Sequence, residues 1–190
     1  GSRMQEIKYC LPIMIEIMSE LNKKYNDLVF KLAIASQNLK EPIQEHLKAS
    51  NVNVVQTSDA QLLMSEAWFS IVASGTVSLE HAIIGTPCVV IYKFSQLSYW
   101  VAKKIVWSKI QENCHGFIAL PNILAAKQVC PEFVQEAANI SNILKPCFKL
   151  MNNQLYYDQM TNELKKISQQ LFSNNHSFNK LADLILSLKL

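Results

Sequence analysis

Amphipathic helical patterns give way to short β-rich runs three times in the first hundred residues, and this alternation constrains the fold more than any other feature. Strands separated by helix-length segments pair in parallel, because the crossover connection leaves no room for a tight hairpin. A helix is expected from about Pro12 to Lys24, where Ile13, Ile17 and Leu21 are spaced for one apolar face. "LVFKLAIA" (Leu28 to Ala35) reads as a buried strand, followed by a helix near Glu41 to Ala49 and the short strand Val52 to Val55. Ser58 can cap a helix running through Ala67, "WFSIVA" (Trp68 to Ala73) is the next strand, and a helix Val77 to Ile84 leads to the strand Pro87 to Tyr92. Gly85 stands where a helix C-terminal cap belongs. A helix is expected near Ser95 to Lys109, a last short run reaches Ala119 to Asn122, and from Pro131 the pattern is helical and increasingly polar. The expected fold is therefore α/β and Rossmann-like, a parallel sheet flanked by helices. A sheet of this kind wants a strand ahead of its first helix, and the sequence opens at the loop, so the first strand is expected to be missing.

With 190 residues, 49% of them hydrophobic, one domain can bury a substantial core. A net charge of +3 is too small to argue for a nucleic-acid partner. Five widely spaced cysteines, with no CxxC pair, fit a reducing, cytoplasmic setting, and no uncharged apolar run approaches the ~20 residues of a membrane span.

The stretch "VASGTVSLEHAIIGTPCVV" carries the chemistry. An apolar strand ends in Ser74-Gly75-Thr76 and feeds straight into a helix, which leaves unpaired N–H groups at the positive end of a helix dipole. Such an end takes phosphate, although Ser and Thr also cap helices with no ligand in sight. Glu80 lies four residues past Thr76, one more than a capping box requires. That step is about 6 Å along the same helix face, roughly the distance from a diphosphate to the ribose of a nucleotide. Glu80 is also the sole carboxylate between Glu66 and Glu112, amid Val77, Leu79, Ala82 and Ile83, where an unpaired charge would be costly. Nucleotide diphosphate binding is the working expectation.

"SGTVSLEHAIIGTPCVVIYKFSQLSYWVAKKIV", taken with "LPNILAAKQVCPE" and the opening "GSRMQEIKYCLP", resembles the C-terminal half of the lipid-A-disaccharide synthases, a family of GT-B glycosyltransferases. The resemblance runs from residue 1 to about Glu132. It implies that residues 1–190 form the donor-binding domain, with an α/β core over 1–135, C-terminal helices over 136–190, and the N-terminal acceptor domain, with the catalytic base, absent. The implied reaction transfers 2,3-diacylglucosamine from UDP-2,3-diacylglucosamine to the 6-hydroxyl of 2,3-diacylglucosamine 1-phosphate. It inverts the anomeric centre, gives a β-1,6 disaccharide and UDP, and uses neither a bound metal nor another cofactor. The resemblance puts Ser2 and Arg3 on the donor diphosphate, Ser74, Gly75 and Thr76 at the phosphate turn, Glu80 on the ribose, and Asn122 near the reacting groups. As a bare "PN", Asn122 would read as an ordinary turn residue.

Other UDP-sugar enzymes of the GT-B kind, such as a peptidoglycan transferase or a UDP-N-acetylglucosamine 2-epimerase, share the turn and its Glu but not the "YW-AK" and "LPN" stretches. An inactive nucleotide-binding or dimerisation module is a further alternative, and a homodimer is left open. Two departures stand out. The family commonly has Gly-Arg-Glu where this chain has Ala126-Lys127-Gln128, and "SKIQENCHGF" (Ser108 to Phe117) is longer than the usual connection, with Cys114 and His115 read as part of a surface loop. His81 fits no HExxH pattern and is expected to pack or face solvent. Lys93 to Lys109 holds Lys93, Lys103, Lys104 and Lys109 with Phe94, Tyr99, Trp100 and Trp107 and no acid. That composition suits either peripheral contact with an anionic inner-membrane face or a core helix whose lysines snorkel.

Overall fold

The computed structural model describes residues 3–73, 76–93, 95 and 114–173. Its elements run α1 (Met4–Tyr9), α2 (Leu11–Lys24), β1 (Phe30–Ala33), α3 (Lys40–Lys48), β2 (Val54–Thr57), α4 (Ala60–Glu66), β3 (Ser70–Ala73), α5 (Thr76–Ile84), β4 (Cys88–Tyr92), α6 (Leu120–Ala125), β5 (Glu132–Val134), α7 (Ile140–Asn152) and α8 (Gln154–Ser173). Among the described residues every strand pairing is parallel, so the α/β reading holds. Among them the strands form two sheets, β1-β2 and β3-β4-β5.

Several local expectations are corrected. A short helix, α1, precedes the one read from Pro12, and Cys10 links the two. The cap of α4 is Asp59 rather than Ser58: its carboxylate accepts the Leu62 N–H at 2.9 Å, a stronger cap than a hydroxyl. "ALPN" opens α6, with Pro121 in the first turn where its missing N–H costs nothing. Glu132–Val134, inside a stretch read as helical, is an edge strand paired with β4.

The core lies on the three-stranded sheet. Cys88, Val89, Val90 and Ile91 of β4 are at most 1% exposed, as a parallel strand covered on both faces demands. Helix α8 closes one side with Met160, Leu164, Ile167 and Leu171, spaced four, three and four residues apart on one face. A second, smaller cluster joins Ile7, Leu11 and Ile15 to Leu39 and Ile43, with Leu32 of β1 packed against it. Helix α2 serves both, because its Ile17 and Leu21 belong to the larger cluster. All five cysteines are buried free thiols. No helix among the described residues is long and apolar enough to cross a membrane.

Candidate functional site

The candidate site lies at the carboxyl edge of the three-stranded sheet, the edge at which open α/β folds bind their ligands. Strand β3 ends at Ala73 and α5 begins at Thr76. Ser74 and Gly75 between them lie outside the described residues, as does Ser2. Thr76 is exposed at the first turn of α5, and Glu80 is half-buried one turn further along. Helix α5 is well anchored: Ala82 has no exposure, Ser78 is buried, and the Ser168 hydroxyl of α8 donates to the Ile83 carbonyl at 3.3 Å. At its far end Gly85, with φ of +88°, accepts the left-handed turn that lets its own N–H and that of Thr86 reach the His81 carbonyl at 2.8 and 3.1 Å.

Arg3 is exposed at the N-cap of α1, in extended backbone, and its N–H donates to the Glu6 carboxylate at 3.2 Å. The start of α1 is close to the end of β4. The Tyr92 phenol is pushed up mainly by burial, with the Arg3 charge opposing and Glu6 and Cys10 adding to the rise. The Cys10 thiol also lies 3.9 Å from the Lys93 carbonyl. Arg3 and Thr76 therefore share the carboxyl edge of the sheet, with Glu80 one turn behind it.

His81, beside Glu80, packs inward at 1% exposure. Its Nδ1 donates to the Val77 carbonyl at 2.8 Å, and burial holds its pKa below the usual imidazole value. Cys114 turns inward too, with no exposure, which corrects the reading of it as part of a surface loop; His115 beside it is exposed.

Asn122 has a different environment from the one its resemblance suggests. It is fully buried, its Nδ2 donates to the Cys130 carbonyl at 2.8 Å and to Glu132 at 2.9 Å, and its Oδ1 accepts the N–H groups of Val129 and Cys130 at 2.7 and 2.8 Å. Both donors and both lone pairs are used inside the chain. Any part it plays in chemistry runs through the loop and strand that it fixes. Its partner Glu132 received no role from the sequence. The carboxylate accepts the N–H groups of Ile118 and Ala119 at 3.0 and 2.9 Å, at the positive end of α6. Desolvation nevertheless outweighs these bonds and pushes its pKa up. The "CPE" after "LPN" placed this acid ten residues beyond Asn122, but no spacing rule connects the two before the loop is seen to close.

In the departing loop, Ala126 sits at the C-cap of α6 with φ of +52°, and Lys127 pairs with Glu163 of α8. The aromatic and basic stretch from Phe94 to Lys109 lies, apart from Ser95, outside the described residues.

Parallel strands, crossover helices and a strand-turn-helix at the carboxyl edge define a Rossmann-like α/β protein. A family profile described as Lipid-A-disaccharide synthetase (LpxB) matches residues 1–185, and the chain belongs to that family. It is 33% identical over 183 residues to the lipid-A-disaccharide synthase of Sulfurihydrogenibium sp. (strain YO3AOP1), covering 90% of this chain and 45% of the relative. The corresponding enzyme of Geobacter sulfurreducens is 30% identical over 189 residues, covering 99% of this chain and 47% of its own length. That of Acinetobacter baylyi is 32% identical over 186 residues, covering 92% and 45%. The chain spans about half the length of the curated relatives it matches.

Proposed function

We propose that this chain is the donor-binding part of an inverting hexosyltransferase. The reaction moves 2,3-diacylglucosamine from UDP-2,3-diacylglucosamine to 2,3-diacylglucosamine 1-phosphate and forms the lipid A β-1,6 disaccharide and UDP. The observation that carries the reading is Glu80, a half-buried carboxylate one turn inside a helix that starts two residues after a parallel strand, in a chain of the lipid-A-disaccharide synthetase family. In this reading Ser74, Gly75 and Thr76 offer N–H and hydroxyl donors to the diphosphate at the positive end of α5. Ser2 and Arg3 approach the same diphosphate from the start of α1, where a guanidinium fork can hold two oxygens and stabilise the leaving UDP as charge develops. Glu80 accepts both hydroxyls of the ribose. Asn122 acts as a positioning residue, holding β5 and the loop after α6 in register with the end of β4.

Titration calorimetry with UDP tests the site. Binding should weaken by roughly tenfold to a hundredfold in Glu80→Ala, the cost of losing hydrogen bonds to a charged acceptor. The penalty for 2′-deoxy-UDP against UDP, present in the wild type, should disappear in the variant. No binding, or an unchanged penalty, removes Glu80 from the ribose. The reading also places the enzyme on the inner face of the cytoplasmic membrane, with Lys93 to Lys109 toward anionic lipid. Vesicle sedimentation unchanged by Lys103→Glu with Trp100→Ala rejects that placement.

A further inference from the structure

We propose that Gln135 is a binding residue for the sugar end of the donor, its side-chain amide giving a hydrogen bond to an oxygen of the hexosyl group; the inference rests on the donor reading above and extends it. Gln135 follows directly on β5, which pairs in parallel with β4, and Val134 stands in register with Tyr92. It therefore lies at the carboxyl edge of the three-stranded sheet, the edge that carries Thr76 after β3 and has Arg3 near Tyr92. No motif in the sequence singles it out.

Two independent features mark this residue. Its backbone is left-handed, with φ of +53°, a region that favours glycine and strains a residue with a Cβ. Its side chain is buried, at 5% exposure, and its Nε2 has no hydrogen-bond partner among the described residues. Among those residues it alone joins left-handed backbone to a buried, unpaired amide; His115 and Ala126, the other non-glycine residues at positive φ, are exposed. The conformation is held from both sides. Val134 before it is paired with β4, and the Ala138 N–H closes onto the Gln135 carbonyl at 3.0 Å in the turn of 3₁₀ helix that leads to α7. Glycine suits this backbone and an apolar side chain suits this burial, so a glutamine here costs stability twice. Both costs make sense where the amide is kept for a partner that arrives from outside.

Position selects the part of the donor that it meets. In the order β3-β4-β5, the end of β5 lies two strand spacings, about 9.6 Å, from the end of β3. A glutamine side chain covers roughly half of that, so its amide falls short of a diphosphate seated at the start of α5. In the donor reading Glu80 holds the ribose behind that turn and Arg3 meets the diphosphate near the end of β4. The hexosyl group is then the part that extends over β5. The unpaired group is an N–H donor, so its partner is a hydroxyl or carbonyl oxygen of that sugar. The terminal amide torsion is soft, which lets the N–H turn toward the edge as the oxygen arrives.

Titration calorimetry with UDP and with UDP-2,3-diacylglucosamine separates a sugar contact from the rest of the site. The wild-type chain should bind the sugar nucleotide more tightly than UDP. Gln135→Glu exchanges the donor for an acceptor, and Gln135→Gly deletes the side chain while fitting the left-handed backbone. Both should leave UDP affinity within about twofold and weaken the sugar nucleotide by roughly threefold to tenfold. Urea unfolding with the wild-type slope confirms that each variant folds, and either folded variant decides the question. A sugar advantage absent from the wild type, or kept in a folded variant, would overturn the proposal and leave the donor reading standing; in the second case a buried water satisfies the amide. Equal losses for UDP and the sugar nucleotide would also overturn it and make Gln135 a support for the fold alone. A folded wild type that binds no UDP at all would overturn the donor reading itself, and this assignment with it.

Discussion

Ala126 shows how a strained backbone position is held. Its left-handed backbone at the end of α6 is where a glycine is cheap and a side chain with a Cβ is not, and the resemblance read from the sequence implies a Gly here. The conformation persists because both ends are held: the Ala126 N–H reaches the Ile123 carbonyl at 3.2 Å, and the Asn122 side chain grips Val129 and Cys130 beyond it. The fold has kept the turn and tolerates the strain. Ala126→Gly should therefore raise the unfolding free energy in urea by roughly 0.5–1 kcal/mol, with the denaturant slope unchanged. A loss of stability would mean that the Ala126 methyl packs well enough to offset the strain. The departure was visible in the sequence as an unexplained missing glycine. Its cost was not, because only the backbone angle shows that the glycine's freedom is still required.

At the scale of elements, the long apolar runs were legible and the polar joints between them were not. Strand β4 and helix α5 came out close to their expected bounds because burial on both faces leaves an unmistakable apolar signature, and Gly85 marks the helix end. Strand β5 is three half-buried residues whose place is set by pairing with β4, a tertiary effect that composition does not carry. The joint between α6 and β5 is the carboxylate of Glu132, and it has a pH signature. Because its folded pKa is raised, the folded state holds a proton that the unfolded state has lost over the window from the ordinary carboxylate value up to the raised one. Stability should therefore fall as pH rises through that window and level off above it. Glu132→Gln keeps an acceptor for the N–H groups of Ile118 and Ala119 but has no proton to lose, so this part of the fall should vanish in urea titrations. Glu132→Ala leaves those donors and the Asn122 amide short of a partner, and should cost about 1–3 kcal/mol at any pH. Identical pH slopes for wild type and Glu132→Gln would mean that the carboxyl titrates as it does in the unfolded chain.

At the scale of the whole molecule, the carboxyl edge of the three-stranded sheet is the donor side in the proposed reading. Thr76 follows the end of β3, and Arg3 lies near Tyr92 at the end of β4. Transfer between sugars also needs a surface that presents the acceptor hydroxyl and a base to take its proton, and in the reading proposed above both come from the half of the relatives that this chain does not span. Binding and turnover should then separate. The chain alone should bind UDP yet form no disaccharide from UDP-2,3-diacylglucosamine and 2,3-diacylglucosamine 1-phosphate in a product assay by mass spectrometry. Adding the complementary half of a relative should restore product, and Glu80→Ala in this chain should lower the restored rate by the same mechanism that weakens UDP. Product from the chain alone would place the acceptor site and the base within these residues and refute the division. Restored turnover that ignores Glu80→Ala would instead show that the added half works without this donor edge.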